Sequence, residues 1–131
     1  YLDVEGVDAD SAHVTPGYTF NCDFLPPGII AKAPGAGSVV AEVFLIGHND
    51  KKEATRTGRD YRTYLQLNGK DYDVHRKRWR GRTTWTARDP AQGRVICTVY
   101  KEYVIGVVRP KDYALGEAII NRIIRKMGGE P

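Results

Sequence analysis

The residues best suited to chemistry are a cluster of cations around two tryptophans. Between residues 75 and 85, five arginines and lysines lie close to Trp79 and Trp85. Arginine pairs with phosphate and indole rings stack on bases, so this composition suits RNA. The alternative is a solvated loop that balances acidic residues elsewhere. The predicted binding residues are Arg76, Lys77, Arg78, Trp79, Arg80, Arg82 and Trp85.

The charge of the chain is unevenly distributed. Residues 1–50 contain seven acidic residues against one lysine, whereas residues 51–94 contain thirteen lysines and arginines against five acidic residues. The net charge of +4 therefore understates the positive charge of the middle of the chain. This excess either pairs with the acidic first third or faces phosphates or an acidic partner.

Groups that could transfer protons are few and scattered. His48 follows an apolar segment, where a structural histidine is favoured over a catalytic one, and His13 is predicted to be inert. A partner for His48 or His75 would be one of three carboxylates: Glu53, Asp60 or Glu102. Their spacing does not indicate a catalytic pair. The histidines and cysteines also lack the spacing of a metal site, so we predict neither a metal nor a cofactor.

The two cysteines, Cys22 and Cys97, are far apart in the chain. The sequence starts at Tyr1 rather than Met, which we interpret as the loss of a leader and therefore as secretion. In a small secreted protein a Cys22–Cys97 disulfide is expected, because a crosslink that closes a long loop stabilises the fold. The alternative is two buried thiols in a cytosolic protein.

Alternating and β-branched runs predict the strands that would position these residues. They fall at residues 18–22, 38–48, 61–67, 71–75, 83–87 and 95–108. Asn68-Gly69 predicts a hairpin turn, residues 89–93 predict a second turn, and Gly106 predicts a bulge or a break. Segment 38–48 is apolar on both faces, which is typical of a central strand. The pattern predicts an antiparallel meander.

Two helices are predicted beside this sheet. Pro27 suits the first turn of a short helix that ends at residues 34–37. After residue 112, apolar residues recur at helical spacing, with Asp112 as the N-cap and Gly128-Gly129 as the stop. We expect this amphipathic helix to pack on the sheet; a membrane-surface or partner helix is the alternative. Residues 49–59 are polar and predict an exposed loop.

The length of 131 residues predicts a single α+β domain. Residues 1–17 are expected to form a flexible acidic arm, and residues 18–131 the domain. No run approaches the roughly 20 apolar residues of a membrane span. The protein is expected to be a monomer.

Several short motifs resemble known families. Phe20-Asn21-Cys22 resembles the aromatic-x-Cys signature near the mature N-terminus of secreted powdery-mildew effectors, the ribonuclease-like proteins associated with haustoria. Tyr64–Tyr72, Gly81–Trp85 and Arg94–Ile96 look like the hairpin, the arginine-bearing strand and the following strand of fungal guanyl-preferring ribonucleases. This resemblance covers roughly a third of the chain. It implies a microbial-ribonuclease-like scaffold with one disulfide.

Carried over residue by residue, the resemblance argues against catalysis. Arg82 matches the arginine that stabilises the phosphate, and His48 corresponds to one family histidine. The position of the general base falls near Thr63, and that of the general acid near Cys97 or Thr98, so the acid and base are missing. We therefore predict no catalytic residue; an active enzyme would depend on His48 and Arg82.

The resemblance implies a secreted, non-catalytic effector of a plant-pathogenic fungus that acts in the host cell cytoplasm as a virulence factor. It would bind a host protein or RNA through residues 76–82, and plant immune receptors would recognise it as an avirulence factor. The alternatives are an active secreted ribonuclease or toxin, an intracellular RNA-binding module, and a secreted β-sandwich effector.

Overall fold

Seven strands form one antiparallel sheet in the computed structural model, which describes residues 1–77 and 82–129. The strands are β1 (Asp8–Val14), β2 (Ile29–Lys32), β3 (Glu42–Gly47), β4 (Lys70–Lys77), β5 (Arg82–Asp89), β6 (Gly93–Tyr100) and β7 (Tyr103–Val108). The helices are α1 (Lys51–Asn68) and α2 (Tyr113–Lys126). The strand order is β1-β2-β3-β7-β6-β5-β4, and all neighbouring strands are antiparallel. The predicted α+β class and antiparallel sheet are confirmed.

The two helices cover opposite faces of the sheet, because successive side chains of a strand point to opposite sides. Under α2 lies the α2-face cluster, which includes Val43, Leu45, Ile96, Ile105, Val107, Ile119, Ile120, Ile123 and Ile124. Under α1 lies the α1-face cluster, which includes Leu25, Phe44, Ile46, Tyr61, Leu65, Trp85, Val95, Cys97 and Val104. Both faces of the sheet are therefore buried near its centre.

Helix α1 replaces both the exposed loop predicted at residues 49–59 and the strand predicted at residues 61–67. It begins at a strong cap, since Asp50 Oδ1 accepts a hydrogen bond from the Glu53 backbone N–H at 2.9 Å. Ala54, Gly58, Tyr61 and Leu65 then fall on one buried stripe. Of the alternating residues that predict a strand, Tyr61 and Leu65 also fit the helical period, whereas Thr63 and Leu67 are exposed in the helix. Burial of the stripe decides between the two structures.

The Asn68-Gly69 pair ends α1 and does not turn a hairpin. The Gly69 N–H donates to the carbonyl of Leu65 at 2.8 Å, and the chain enters β4 at the next residue. A side chain at this position would place its Cβ 2.7 Å from Leu65 O and 2.8 Å from Arg88 O. Glycine is needed here because the helix end lies directly against β5.

The centre of the sheet largely follows the sequence pattern. β3 lies between β2 and β7, which confirms the predicted central strand, although it begins at Glu42 rather than residue 38. The run 95–108 breaks between Tyr100 and Tyr103, which pair across a tight turn. The break predicted at Gly106 is wrong: this glycine lies inside β7, where a Cβ would come within 2.3 Å of the Phe44 ring.

The N-terminal third differs most from its prediction. The predicted strand at residues 18–22 is a 3₁₀ turn, Thr19–Asn21, in which Phe20 has a φ of 53°. The short helix predicted after Pro27 is instead β2. Residues 8–14, inside the segment predicted to be an acidic arm, form β1 at the edge of the sheet. β2 pairs with β3 and β1 pairs with β2, and this pairing outweighs the local preferences of such short segments.

Helix α2 matches its prediction. Asp112 Oδ1 accepts from the Leu115 N–H at 2.9 Å, which confirms the N-cap. The helix ends at Lys126, and Gly128 follows with a φ of 88°, the left-handed conformation that favours glycine. Its isoleucines pack on the sheet, as the amphipathic pattern predicted.

Candidate anion-binding cleft

A cleft of about 410 Å³ lies between α1 and the adjoining ends of β5 and β6. Its lining comes from three parts of the chain: Lys51, Thr55, Gly58, Arg59 and Arg62 of α1; Arg82, Thr83 and Trp85 of β5; and Val99, Tyr100 and Lys101 at the β6–β7 turn. No Asp, Glu or His of the described residues is among them. The cleft is therefore positively charged throughout.

Four of these cations make no ion pair with a carboxylate anywhere in the described part of the chain. They are Lys51, Arg59, Arg62 and Lys101. Lys51, Arg59 and Lys101 are exposed, and Arg62 is half-buried. Their like charges repel one another, and a bound anion would relieve that repulsion.

Arg62 is held at the base of the cleft by two aromatic residues. Its Nε donates to the Tyr72 hydroxyl at 2.9 Å, and its guanidinium carbon lies 5.6 Å from the centre of the Trp85 ring. This cation–π contact orients the positive charge over a buried surface. An arginine fixed in this way loses less side-chain entropy when it binds an anion than a freely rotating one does.

Gly58 lets the helix approach the floor of the cleft. A Cβ at this position would lie 2.6 Å from Val99 Cγ2 and 3.1 Å from Trp85 Cη2. A glycine inside a helix costs about 1 kcal/mol relative to alanine. Helix α1 can approach Trp85 this closely only with glycine at position 58, despite that cost. Gly58 therefore determines the shape of the cleft floor.

The positive surface continues around α1. A second groove, also about 410 Å³, is lined by Lys51, Lys52, Thr55, Arg56 and Arg59. Lys51, Thr55 and Arg59 line both spaces, so the two spaces are neighbours along the helix. The amino end of α1 adds its partial positive charge to that of Lys51 and Lys52.

The structure brings only part of the predicted binding set to this cleft. The backbone of Arg76 and Lys77 belongs to β4, and Arg78, Trp79 and Arg80 lie outside the described residues. Arg82 borders the cleft but is buried, and its Nη2 donates to Asn121 Oδ1 of α2 at 3.2 Å.

Trp85 lies in the cleft floor and is 1% exposed. Arg62 covers its ring, so in this structure the indole does not offer a face for base stacking. Its Nε1–H is buried and has no acceptor among the described residues. The contribution of Trp85 to the cleft is therefore a surface for Arg62 and one hydrogen-bond donor.

The histidines lie away from the cleft lining. Burial lowers the pKa of His48 below its ordinary value, while the charges of Glu53 and Asp50 partly oppose this. His75 Nε2 lies 3.6 Å from Asp73 Oδ2. Neighbours of His75 on β4, Tyr72 and Val74, pack on the α1-face cluster, so His75 points to the other face. His13 is exposed on β1.

The carboxylates named as proton-transfer partners have other positions. Glu53 Oε2 accepts from the Asn49 N–H at 3.2 Å and so belongs to the cap of α1. Asp60 is exposed on α1, and Glu102 lies in the β6–β7 turn, where its carbonyl accepts from the His48 N–H at 2.8 Å. Thr63 is on α1 rather than on a central strand.

Both cysteines lie on the α1 face of the sheet and are free thiols in this structure. Cys97 is completely buried on β6, and burial raises the pKa of its thiol well above the ordinary value. Burial also raises the pKa of the half-buried Cys22, helped by the negative charge of Asp89. The predicted Cys22–Cys97 disulfide is thus not present in the structure.

Sequence reasoning missed four cations of the cleft. The sequence predicts a loop around Lys51 and Arg59, a strand around Arg62 and another strand around Lys101. The signal was helical spacing, because Lys51, Thr55, Arg59 and Arg62 are three or four residues apart and so lie on one side of a helix. The cap formed by Asp50 and Glu53 was the corresponding signal for the helix start.

No protein-family model matches this chain, and no curated protein or solved structure matches it. Neither helix of the described chain is long and apolar enough to cross a membrane. Within residues 1–77 and 82–129, His, Cys, Asp and Glu side chains do not gather in threes to form a metal site. The functional argument therefore depends on the geometry of the cleft.

Proposed function

We propose that this protein is a secreted fungal effector on a ribonuclease-like scaffold, and that it binds RNA without cleaving it. The observation that carries the proposal is the cleft. Four cations that have no carboxylate partner within residues 1–77 and 82–129 converge there from α1 and the β6–β7 turn, and one of them is held in place over Trp85. Such a surface attracts phosphates.

A polymeric anion fits the positive surface better than a small ion does. The cleft adjoins the groove of Lys52 and Arg56, so lining cations extend over residues 51–62 of α1. Successive phosphates of a nucleic acid strand can occupy such a track, and each neutralised phosphate adds to the affinity at low salt. Single-stranded RNA is the form proposed, because a single strand can place successive phosphates along such a track.

The absence of cleavage follows from the chemistry of the lining. Transphosphorylation needs an acid and a base on opposite sides of the phosphate. Among the described residues, the cleft is lined by cations, threonines and aromatic or apolar side chains. Cationic Lys and Arg stabilise a phosphate, but they are hydrogen-bond donors with no lone pair to accept the proton of the attacking hydroxyl.

The effector role rests on the motif Phe20-Asn21-Cys22, and the ribonuclease-like scaffold rests on Gly81–Trp85 and Arg94–Ile96. The remaining motif, Tyr64–Tyr72, does not form the hairpin that the resemblance implies, because Asn68-Gly69 ends α1 there. The resemblance supports action in the cytoplasm of a plant cell and recognition by an immune receptor. A host protein is the alternative ligand for the same positive surface. In that case its binding face would be acidic.

The test is a salt series with labelled single-stranded RNA, in which binding is followed by anisotropy and cleavage on a denaturing gel. We expect intact RNA and an affinity that falls steeply with salt. With about four phosphates contacted, the slope of log K against log salt is about −3. Lys51→Gln/Arg59→Gln should reduce the magnitude of that slope by about 1.4, because two phosphate contacts are lost.

The matched control is Lys32→Gln/Arg125→Gln, which removes the same charge from two exposed positions away from the cleft. An equal loss in both double variants would show that net charge, rather than the cleft, drives binding. No binding to RNA at all would overturn the RNA proposal and favour a protein partner.

An active ribonuclease is the second candidate, supported by the 3.6 Å approach of His75 to Asp73. Cleavage that disappears in His75→Ala or His48→Ala would establish it and overturn the non-catalytic proposal. An intracellular RNA-binding module would instead show reduced cysteines in protein taken from its native source.

A further inference from the structure

We propose that the inner end of the cleft binds the terminal phosphate of the RNA strand. This inference rests on the proposed RNA binding and makes it more specific. The inner end consists of Arg62, Trp85 and the floor beneath Gly58. The ligand class is a phosphomonoester at a strand end, as distinct from the diesters within the strand.

The first argument is the buried donor. Trp85 lines the cleft, is 1% exposed, and its Nε1–H has no acceptor among the described residues. Buried donors in native proteins are nearly always paired. Because Nε1 is covered in this structure, an oxygen atom of a bound phosphate would become its acceptor after the guanidinium of Arg62, which lies over the same ring, moves toward the anion.

The second argument is the shape of the cleft. Gly58, Val99 and Trp85 approach one another so closely that a single Cβ would not fit between them. The strand therefore has no passage between α1 and the sheet at this point. In the proposed arrangement the end of the strand stops here, and the rest of it leaves over Lys51 and Arg59 toward the outer groove.

The third argument is charge. A phosphomonoester carries about −1.5 to −2 at neutral pH and presents three strong acceptor oxygens, whereas an internal diester carries about −1. Arg62 at the inner end and Lys101 of the β6–β7 turn are the cations offered to such a group, while Lys51 and Arg59 line the way to the outer groove. The volume of about 410 Å³ suits one terminal nucleotide.

The experiment compares three RNA octamers of one sequence, with a 5′-phosphate, a 3′-phosphate or hydroxyl groups at both ends. Anisotropy with the full chain gives the affinities. In a Trp79→Phe background Trp85 is the remaining tryptophan, so its emission reports the site. We expect one phosphorylated octamer to bind at least about tenfold more tightly than the hydroxyl octamer and to change the Trp85 emission.

Arg62→Gln should abolish that preference, while the control Arg125→Gln, an exposed arginine on α2, should keep it. Lys101→Gln is a second variant in case the loss of the Arg62–Tyr72 bond weakens folding. Because Lys101 is exposed, its replacement should reduce the preference for the phosphorylated octamer without changing the temperature of thermal unfolding.

The outcomes separate the two proposals. Equal affinity for all three octamers would overturn the terminal-phosphate site and leave RNA binding intact. A response of Trp85 emission to inorganic phosphate, without binding of any octamer, would support the phosphate site and overturn RNA as its ligand. No response to either would overturn both.

Discussion

The two faces of the sheet use their helices in different ways. α2 buries Ile119, Ile120, Ile123 and Ile124, whereas α1 buries small and polar residues along with Tyr61 and Leu65. The α2 face is therefore filled by aliphatic packing. The α1 face is filled at its centre and opens into the cleft at one end.

The cations of the two helices also differ in what they contact. On α2, Arg122 Nη1 donates to the Glu5 carbonyl at 3.0 Å, and Lys126 Nζ donates to the Asp3 carbonyl at 3.1 Å. These contacts hold the N-terminal segment against the fold. On α1, Lys51 and Arg59 line open space. The comparison indicates that α2 supports the structure, and that α1 both supports it and presents charge.

The largest expected effect comes from breaking the α2 face. Ile123→Ala removes a completely buried side chain and should lower the free energy of unfolding by about 3 kcal/mol. Urea unfolding measures this change. Leu67→Ala is the control on α1: its side chain is 78% exposed, and the expected change is within about 0.5 kcal/mol. Equal decreases in the free energy of unfolding of the two variants would contradict the packing difference between the helices.

A sharper comparison uses the two glycines that let the helices approach the sheet. A Cβ at Gly58 would lie 2.6 Å from Val99 Cγ2, and one at Gly116 would lie 2.7 Å from Ile96 Cγ2. Each Gly→Ala change should cost about 1–2 kcal/mol, since overpacking exceeds the gain in helix propensity. Thermal unfolding measures the cost.

The two alanine variants should then differ in RNA binding. Gly58→Ala moves α1 away from Trp85 and should weaken binding by several-fold, whereas Gly116→Ala should leave it unchanged. Loss of binding in both variants would indicate that the affinity depends on global stability rather than on the floor of the cleft.

The smallest expected effect concerns His48, just before α1. Burial lowers the pKa of His48 from its ordinary 6.5. As the pH falls below about 6.5, the unfolded chain takes up a proton that folded His48 binds less readily, so the free energy of unfolding decreases. The full contribution is present above that pH.

His48→Gln should therefore reduce the difference between urea midpoints measured at pH 7.5 and pH 5.5. His13→Gln, at an exposed position on β1, is the matched control. A wild-type protein that becomes more stable on acidification through this range, with that gain lost in His48→Gln, would reverse the predicted sign.

Much of the sheet and all of α2 could be predicted from the sequence. β3, β5 and the β6–β7 region have strong alternation or β-branched composition, and α2 has a cap, an apolar stripe and a glycine stop. The sequence predicts a hairpin turn at Asn68-Gly69, but this pair ends a helix as readily as it turns a hairpin, and here it ends α1. Local chemistry alone did not choose between these structures.

The cleft could be predicted only in outline. An excess of positive charge in residues 51–94 is visible in the sequence, and the closely spaced cations of residues 76–82 predict a binding surface there. Arg82 of that segment borders the cleft, whereas the other cations of the lining are spaced along α1 and at Lys101. Their proximity depends on helix periodicity and on the packing of α1 over β6.

The amino-acid sequence by itself determined the α+β class, the central strand, the caps of α2 and the positive charge of the middle segment. These depend on periodicity and turn chemistry, which act over a few residues. The tertiary structure decided that residues 51–68 are a helix, that Trp85 is buried under Arg62, and that Lys101 faces Lys51 across a cleft. Those features depend on contacts between residues distant in the chain, and the free energy of burying the α1 stripe selects them.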